Sequence, residues 1–430
     1  MVWVIEMREM IGQKDKEYMA EPIVDWILDG IPTPPKVKLF DDIGFIYEAQ
    51  LAKMELSSWW DKPEQFRRRA AYFEEVNGEK TYHFYISDIK GKGQIGRTNQ
   101  YLTHWYYPYK AKFHPQMIKA LINWMGLKKG DWLLDPFAGS GTALIESKLV
   151  GVNSIGIDID PLCILMSRVK IDLLDLTGED LRKVSLRDAF DFFHHRKAKS
   201  SVGLNKFLQT KSESYDLGPF KGVDGRIYDF FLLSYLYALS DWRYIKVDMW
   251  KQFNKNIKSI VKNVEKFCEL KKNLEFEFGE TKLIQGDARF ITDYGIEANS
   301  IDGIVTSPPY SIAVDYIAQD MHAFQYLGID PRKLQDKLVG LKGKGEEKVK
   351  IYFEDMRFAF KSMFEVLKPN SYCAVVIGDV TYNGRKLPIS ETYVELAKNA
   401  GFDYIGIIRR PILGGFARLR YEYIIIFKKP

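Results

Sequence analysis

The sequence predicts an α/β fold organised around parallel strands, and two features carry that reading. The first is the apolar strand Trp132-Leu133-Leu134-Asp135, which runs through Pro136-Phe137-Ala138-Gly139-Ser140-Gly141-Thr142 into the helix-forming Ala143-Leu144-Ile145-Glu146. Strand, tight glycine turn and helix in that order open a βαβ unit. The second is repetition. Ser154-Ile155-Gly156-Ile157 ends in Asp158, Thr281 to Gln285 leads into Gly286-Asp287-Ala288, and Ile301 to Val305 leads into Thr306-Ser307-Pro308-Pro309-Tyr310. Each is a short apolar run that delivers a polar residue at its end, as strands of a parallel sheet do.

Taken in order, residues 1–95 form an N-terminal α+β region. Glu21 to Asp29 reads as a short helix stopped by Gly30 and three prolines, and Phe40 to Phe73 carries helical-period apolar residues. Arg67-Arg68-Arg69 within it reads as a solvated helix face or as a phosphate contact. Lys80 to Ile89 alternates around Tyr82, Phe84 and Ile86 and is expected to be a strand. Gln116 to Trp124 reads as a helix ahead of the first sheet strand. Between the helix after Asp158 and the strand at 281 stands an insertion of about 110 residues, 171–280, far more than a βα connection needs. A separate, mainly helical lobe is expected there. Within 242–272, nine basic residues face three acidic ones. Lys251, Lys255, Lys258, Lys262 and Lys266 share one helical face, and Met249, Phe253, Ile257, Ile260, Val264 and Phe267 share another. The lysines read as the wet side of an amphipathic helix or as a phosphate-tracking stripe. Leu338 to Lys350, rich in glycine and lysine, is expected to be a basic loop, either closing over a substrate or merely solvated. Phe353 to Leu367 reads as a helix, Tyr372 to Ile377 as a fifth buried strand, Ile389 to Ala400 as a helix closed by Gly401, and Tyr404–Ile408 and Tyr421–Phe427 as closing strands. Arg409, Arg410, Arg418 and Arg420 bracket those last strands.

The chemistry concentrates at the strand ends. Gly139 and Gly141 remove side chains where a ligand approaches backbone, and Thr142 is placed to cap the following helix. Asp158 comes 23 positions after Asp135, a spacing suited to gripping ribose hydroxyls. Asp287 is placed to accept from an adenine amino group, beside Ala288. At Ser307-Pro308-Pro309-Tyr310 two prolines with locked φ and no N–H aim a hydroxyl, a free carbonyl and a ring into one small space. A planar base with an exocyclic amine wants two such acceptors and a ring to stack on.

These motifs resemble those of S-adenosylmethionine-dependent methyltransferases that act on exocyclic amines of nucleic-acid bases. Asp135 to Thr142 is similar to that group's cofactor motif, and Ser307 to Tyr310 to its catalytic motif. Tyr107 to Pro115 resembles the segment that closes over the methionine end of the cofactor in N4-cytosine enzymes, and Ser311 to Tyr316 resembles the stretch C-terminal to the catalytic motif there. The resemblance covers residues 96–170 and 281–430. It implies a Rossmann-like class I fold, with a mostly parallel seven-stranded sheet whose last strand is antiparallel. It implies catalysis by Ser307, Pro308, Pro309 and Tyr310. It also implies S-adenosylmethionine held by Tyr109, Lys112, Phe113, Asp135, Pro136, Phe137, Gly139, Gly141, Thr142, Asp158, Asp287 and Ala288. Ser at the head of the catalytic motif implies cytosine N4 over adenine N6. The place of the insertion departs from restriction-type DNA enzymes, so a structured RNA such as ribosomal RNA is the favoured substrate and DNA the alternative. An inactive RNA-binding module and a protein-amide methyltransferase are further alternatives, against which the intact catalytic motif and its serine stand.

Composition sets outer bounds. A net charge of +5 and a pI near 8.7 suit a nucleic-acid partner without requiring one. Cys163, Cys268 and Cys373 have no paired spacing, and His194-His195 point in different directions with no ligand partner nearby, so neither a disulfide framework nor a metal is expected. No cysteine follows a proline as a ring-carbon nucleophile would. The start lacks the pattern of a signal peptide, and Phe230 to Leu239 is too short to cross a bilayer, so a cytoplasmic protein is expected.

Overall fold

A computed structural model describes residues 23–90, 100–109, 112–195, 218–309, 316–335, 337–382, 385–412 and 421–430. The N-terminal region contributes strands β1 (Val37–Leu39), β2 (Phe73–Val76) and β3 (Glu79–Lys80) as a small antiparallel sheet, with helices α1 (Ile23–Leu28), α2 (Ile46–Ser57), α3 (Pro63–Arg69) and α4 (Tyr82–Ser87). The strand expected at 80–89 is therefore a helix. Thr81 decides it: its hydroxyl accepts from the Phe84 N–H and caps α4, and Tyr82 and Ile86 then bury on one helical face.

The main sheet is built from β4 (Trp132–Asp135), β5 (Asn153–Asp158), β6 (Thr281–Gln285), β7 (Ile301–Thr306), β8 (Leu367–Gly378), β11 (Asp403–Pro411) and β12 (Tyr421–Lys428). A hairpin of β9 (Val380–Tyr382) and β10 (Arg385–Leu387) lies apart from it. The order across the seven strands is β11-β12-β8-β7-β4-β5-β6. β12 alone runs antiparallel, to both β8 and β11. This is the Rossmann-like arrangement of class I methyltransferases, and β4 lies between β5 and β7, where the strand order reverses and a crevice opens.

Both faces are covered, as a parallel sheet requires. Successive residues go to opposite sides: Leu133, Val305, Val376 and Ile424 pack into one core, and Leu134, Ile304, Val375 and Ile425 into the other. The first core is closed by α2 and α5 (Pro115–Trp124), so the N-terminal region is a layer of the sheet. The second is closed by α13 (Gly345–Val366) and α14 (Ile389–Ala400). α13 starts at Gly345, eight residues before Phe353, and takes part of the expected basic loop into its first two turns. Helices α6 (Thr142–Leu149) and α7 (Pro161–Asp172) follow β4 and β5.

The insertion forms α8 (Leu186–His195), α9 (Gly225–Ile245) and α10 (Met249–Asn273). Its core is continuous with α7, with Tyr106 and Tyr107, and with α11 (Tyr316–Leu327). On α10, Phe253, Ile257, Ile260, Val264 and Phe267 are buried, and the five lysines of the opposite face are exposed. A short α12 (Pro331–Gln335) precedes the segment leading into α13.

Two arginine expectations change. Arg69 is buried: it donates to Asn123 Oδ1 at 2.7 Å and to the Leu127 carbonyl at 2.6 Å, and lies over the Trp59 ring. It holds the N-terminal layer to α5 and is closed to a phosphate. Arg410 pairs at 2.5 Å with Glu422 across the β11–β12 register. Arg418 and Arg420 lie outside the described residues.

Candidate cofactor and catalytic cleft

The carboxyl ends of β4, β5, β6 and β7 open onto one cleft of about 860 Å³. Every described residue singled out from the sequence lines it except Asp135 and Gly141; Tyr310 lies outside the described residues, as do Lys110, Ala111 and 311–315. The glycine turn, the ends of β5 and β6, the Ser307-Pro308-Pro309 turn and the segment before α5 thus face one space. Residues about 200 apart in sequence meet because parallel strands share one polarity.

Asp135 sits behind the turn instead of in the wall. It is fully buried, and its Oδ1 accepts from Thr306 Oγ1 at 2.7 Å and from the Phe137 N–H at 3.2 Å. The glycine turn and the Ser-Pro-Pro turn are therefore joined by one hydrogen bond beneath the cleft. Asp135 Oδ2 has no partner among the described residues, and burial pushes its carboxyl up to about 7. Gly141 has φ +78° and is itself the cap residue of α6, so Thr142 is the first helical residue and its hydroxyl does no capping. A Cβ on Gly141 would stand 2.8 Å from Ser167 Oγ on α7. Gly139, at φ +51°, faces the cleft, where an added Cβ would meet Tyr109 at 3.4 Å.

Asp158 ends β5 with its Oδ2 accepting from the Gly139 N–H at 2.7 Å and its Oδ1 from the Asp160 N–H at 2.9 Å. The Ile159 N–H also bonds this carboxylate, so three backbone donors hold it in place. Burial raises its pKa to about 6. Asp287 departs from expectation. Its carboxylate is gripped by Arg289, at 2.6 Å from Nη2 and 2.9 Å from Nε, and Arg289 also binds Asp355 on α13. What Asp287 offers a ligand is reduced accordingly.

From the segment before α5, Tyr109, Lys112 and Phe113 line the cleft. Tyr109 is stacked near Tyr316, ring centroids 6.4 Å apart at 22°. Lys112 donates to the carbonyls of His104 at 2.9 Å and Tyr107 at 3.1 Å, and burial lowers its pKa to about 8. Sequence reasoning missed what stands behind it. Glu146 on α6 accepts from the Tyr101 hydroxyl at 2.7 Å and bonds His104 Nε2 at 2.7 Å, with Lys119 of α5 at 3.6 Å. Nothing in the spacing of four residues on three elements announces such a network.

The residues present suit a nucleoside cofactor bearing an amino acid. A carboxylate held by backbone donors ends the second strand, a glycine leaves room beside an aromatic ring, and a buried lysine and an acceptor without a partner among the described residues lie at the same end. The family model described as DNA methylase matches residues 34–167, which includes most of the N-terminal layer that the motifs alone left unassigned. The chain is 24% identical over 411 residues to the Type II methyltransferase M.BsoBI of Geobacillus stearothermophilus, covering 72% of this chain and 80% of that protein. It is 23% identical over 438 residues to the Type II methyltransferase M.MjaII of Methanocaldococcus jannaschii, covering 74% and 78%. These similarities support an amino-methyltransferase of the N4-cytosine and N6-adenine group. Its cofactor is S-adenosylmethionine. A shorter similarity, 34% over 80 residues, links the methyltransferase to the tRNA (guanine(10)-N2)-dimethyltransferase of Methanothermobacter thermautotrophicus, 19% of this chain and 24% of that one.

Proposed function

We propose that the enzyme transfers a methyl group to the N4 amine of cytosine in DNA. The observation that carries the site assignment is the hydrogen bond from Thr306 to Asp135, which places the Ser307-Pro308-Pro309 turn and the glycine turn in register over one cleft. Bound S-adenosylmethionine supplies a methyl on a sulfonium, already a good leaving group. Asp158 would take the ribose hydroxyls, Gly139 and Phe137 the close approach of the nucleoside, and Lys112 the carboxylate of the methionine end. Ser307 Oγ and the Pro308 carbonyl accept the two N–H groups of the target amine. Drawing those protons aside localises the nitrogen lone pair, which is otherwise delocalised into the base, and aims it along one line. The serine at this position favours cytosine.

DNA is favoured because the relatives that span over 70% of the chain are Type II methyltransferases. Structured RNA, to which the motif arrangement leans, is the second reading, and the similarity to tRNA dimethyltransferases supports it over 80 residues. Methyl transfer from labelled cofactor to genomic DNA and to total RNA in parallel, followed by nucleoside mass spectrometry, separates them. The expected product is N4-methyldeoxycytidine, reduced about 10²- to 10³-fold by Ser307→Ala with cofactor affinity retained. N4-methylcytidine from RNA alone would select the second reading. Methylated adenine or guanine would overturn the assignment of the base.

A further inference from the structure

The inserted lobe and α11 enclose a second cleft, with about 1760 Å³ of unfilled space. It meets the cofactor cleft at Tyr109 and Lys112, which line both. Its floor is polar. Gln252 Nε2 donates to Asp241 Oδ2 at 2.6 Å and to Asn256 Oδ1 at 3.2 Å. Asn256 is 5% exposed, and its Nδ2, which faces the Asp241 carboxylate and interacts with it, makes no hydrogen bond of good geometry among the described residues. An amide donor buried in that state is costly, and its presence in a cleft wall points to a ligand that would satisfy it. The walls are aromatic: Trp105, whose buried indole N–H has no partner among the described residues, with Tyr237 and Tyr244. Lys255 stands at the rim as part of the exposed lysine face of α10.

We propose that this cleft receives an unstacked nucleobase of the substrate strand, a neighbour of the methylated one, that carries an exocyclic amine beside an acceptor atom. Asn256 Nδ2 donates to the acceptor, the Asp241 carboxylate accepts from the amine, and the aromatic walls stack on the ring. The lysine face carries the phosphates that lead to it. The Ser-Pro-Pro turn does not line this cleft, so the base held here is not the one that reacts. Uracil and thymine, which have no amine, are selected against. The inference rests on the nucleic-acid reading above, but not on which base is methylated.

The test is fluorescence anisotropy of short labelled homopolymers, as DNA and as RNA, against the full chain presaturated with S-adenosylhomocysteine so that the cofactor cleft is filled. Oligo-A and oligo-C are expected to bind about tenfold more tightly than the oligo-U and oligo-T controls, the discrimination of one donor–acceptor base contact. Asn256→Ala removes that preference and leaves the phosphate-driven binding of the controls. Because Asn256 is buried, Ser259→Phe provides a second variant: it fills the cleft from its lining and is expected to remove the preference as well. Equal affinity for all homopolymers in the unaltered protein, or a preference that survives both substitutions, overturns the proposal. Ser307→Ala is expected to keep the preference. Failure of cytosine methylation beside an intact preference would overturn the reaction proposed above and support this pocket.

Discussion

Gly139 and Gly141 stand two residues apart in one turn, both with positive φ, yet alanine is expected to fail at the two sites for different reasons. At Gly141 the added Cβ falls 2.8 Å from Ser167 Oγ, 2.9 Å from its Cβ and 3.1 Å from its Cα. The hydroxyl can rotate away, but the Cα belongs to the backbone of α7 and cannot. Overpacking of this kind costs about 1–3 kcal/mol. The left-handed backbone adds about 1–2 kcal/mol, against about 0.4–1 kcal/mol recovered from the stiffer unfolded chain. A net loss of about 2–4 kcal/mol is a large part of a typical total stability and lowers Tm by roughly 2–5 °C in a chain of this length. At Gly139 the nearest atom is Tyr109 Cε1 at 3.4 Å, an ordinary contact, so only the left-handed term remains and the unfolded-state term nearly cancels it. Its methyl stands in the cleft wall, where the cofactor must pass. Gly139→Ala is therefore expected to unfold within about 1 kcal/mol of the unaltered protein and to bind S-adenosylmethionine about tenfold or more weakly. Thermal unfolding and calorimetric titration measure the two effects separately. Unchanged cofactor affinity in Gly139→Ala, or an unshifted Tm in Gly141→Ala, would refute the placement of the turn.

Three further outcomes rest on the same geometry. Burial raises the Asp158 carboxyl from its unfolded value to about 6, so its contribution to stability is present below the unfolded pKa and is lost as pH rises through 6. Cofactor affinity moves the other way, since the ionised form is the better acceptor. It should fall as pH drops below about 6, and Asp158→Asn should flatten that step in titrations across pH. Arg289 holds Asp287 and Asp355 together and donates to the Lys337 carbonyl at 3.2 Å, so Arg289→Ala leaves two mostly buried carboxylates facing one another. A loss of about 3 kcal/mol in denaturant unfolding is expected, and Arg289→Lys should recover little of it. Replacing Lys255, Lys258 and Lys262 by glutamate should weaken nucleic-acid binding and flatten its salt dependence by about 2 to 3 in log–log slope, with cofactor affinity unchanged.

What could be read from the chain alone was local in origin. The strand ends and the two turns arise from short apolar runs and from glycine and proline, whose constraints act on the residue that bears them. β4, β5, β7 and the helix 389–400 lie where their patterns put them. The misreadings fall where a partner distant in sequence decides. Lys80 to Ile89 fits either period, and one capping bond from Thr81 settles it. Arg69 looks like its two neighbours in sequence, but it alone turns towards Asn123, 54 residues away. Asp135 carries the right residue type for the cleft wall and is drawn beneath it by Thr306, 171 residues on. The N-terminal layer had no motif because its work is burial, and many sequences bury equally well. Base and polymer are the least legible, because phosphate contacts look alike in DNA and RNA and a base is read by atoms converging from separate elements.

That convergence assigns the insertion a mechanical role. Were the lobe an independent appendage, its core would be separate from the elements that hold the cofactor, and the two would be free to move. Here Tyr106 bonds Ser234 of α9 at 2.5 Å, and Tyr107 bonds His322 of α11 at 3.0 Å. Tyr244 of α9 in turn donates to the Gln319 carbonyl at 2.6 Å. Tyr106 and Tyr107 stand just before Tyr109, which lines the cofactor cleft with Lys112 and Phe113, and α11 comes after the Ser-Pro-Pro turn in sequence. α9 is thus tied to Tyr106 by a buried hydroxyl pair and to α11 by the half-exposed Tyr244, and well-packed interiors transmit shifts without absorbing them. Placed between β5 and β6, the lobe touches both the segment that leads to Lys112 and the helix that follows the Ser-Pro-Pro turn. A recognition region attached at a chain end would have no such connection to both walls.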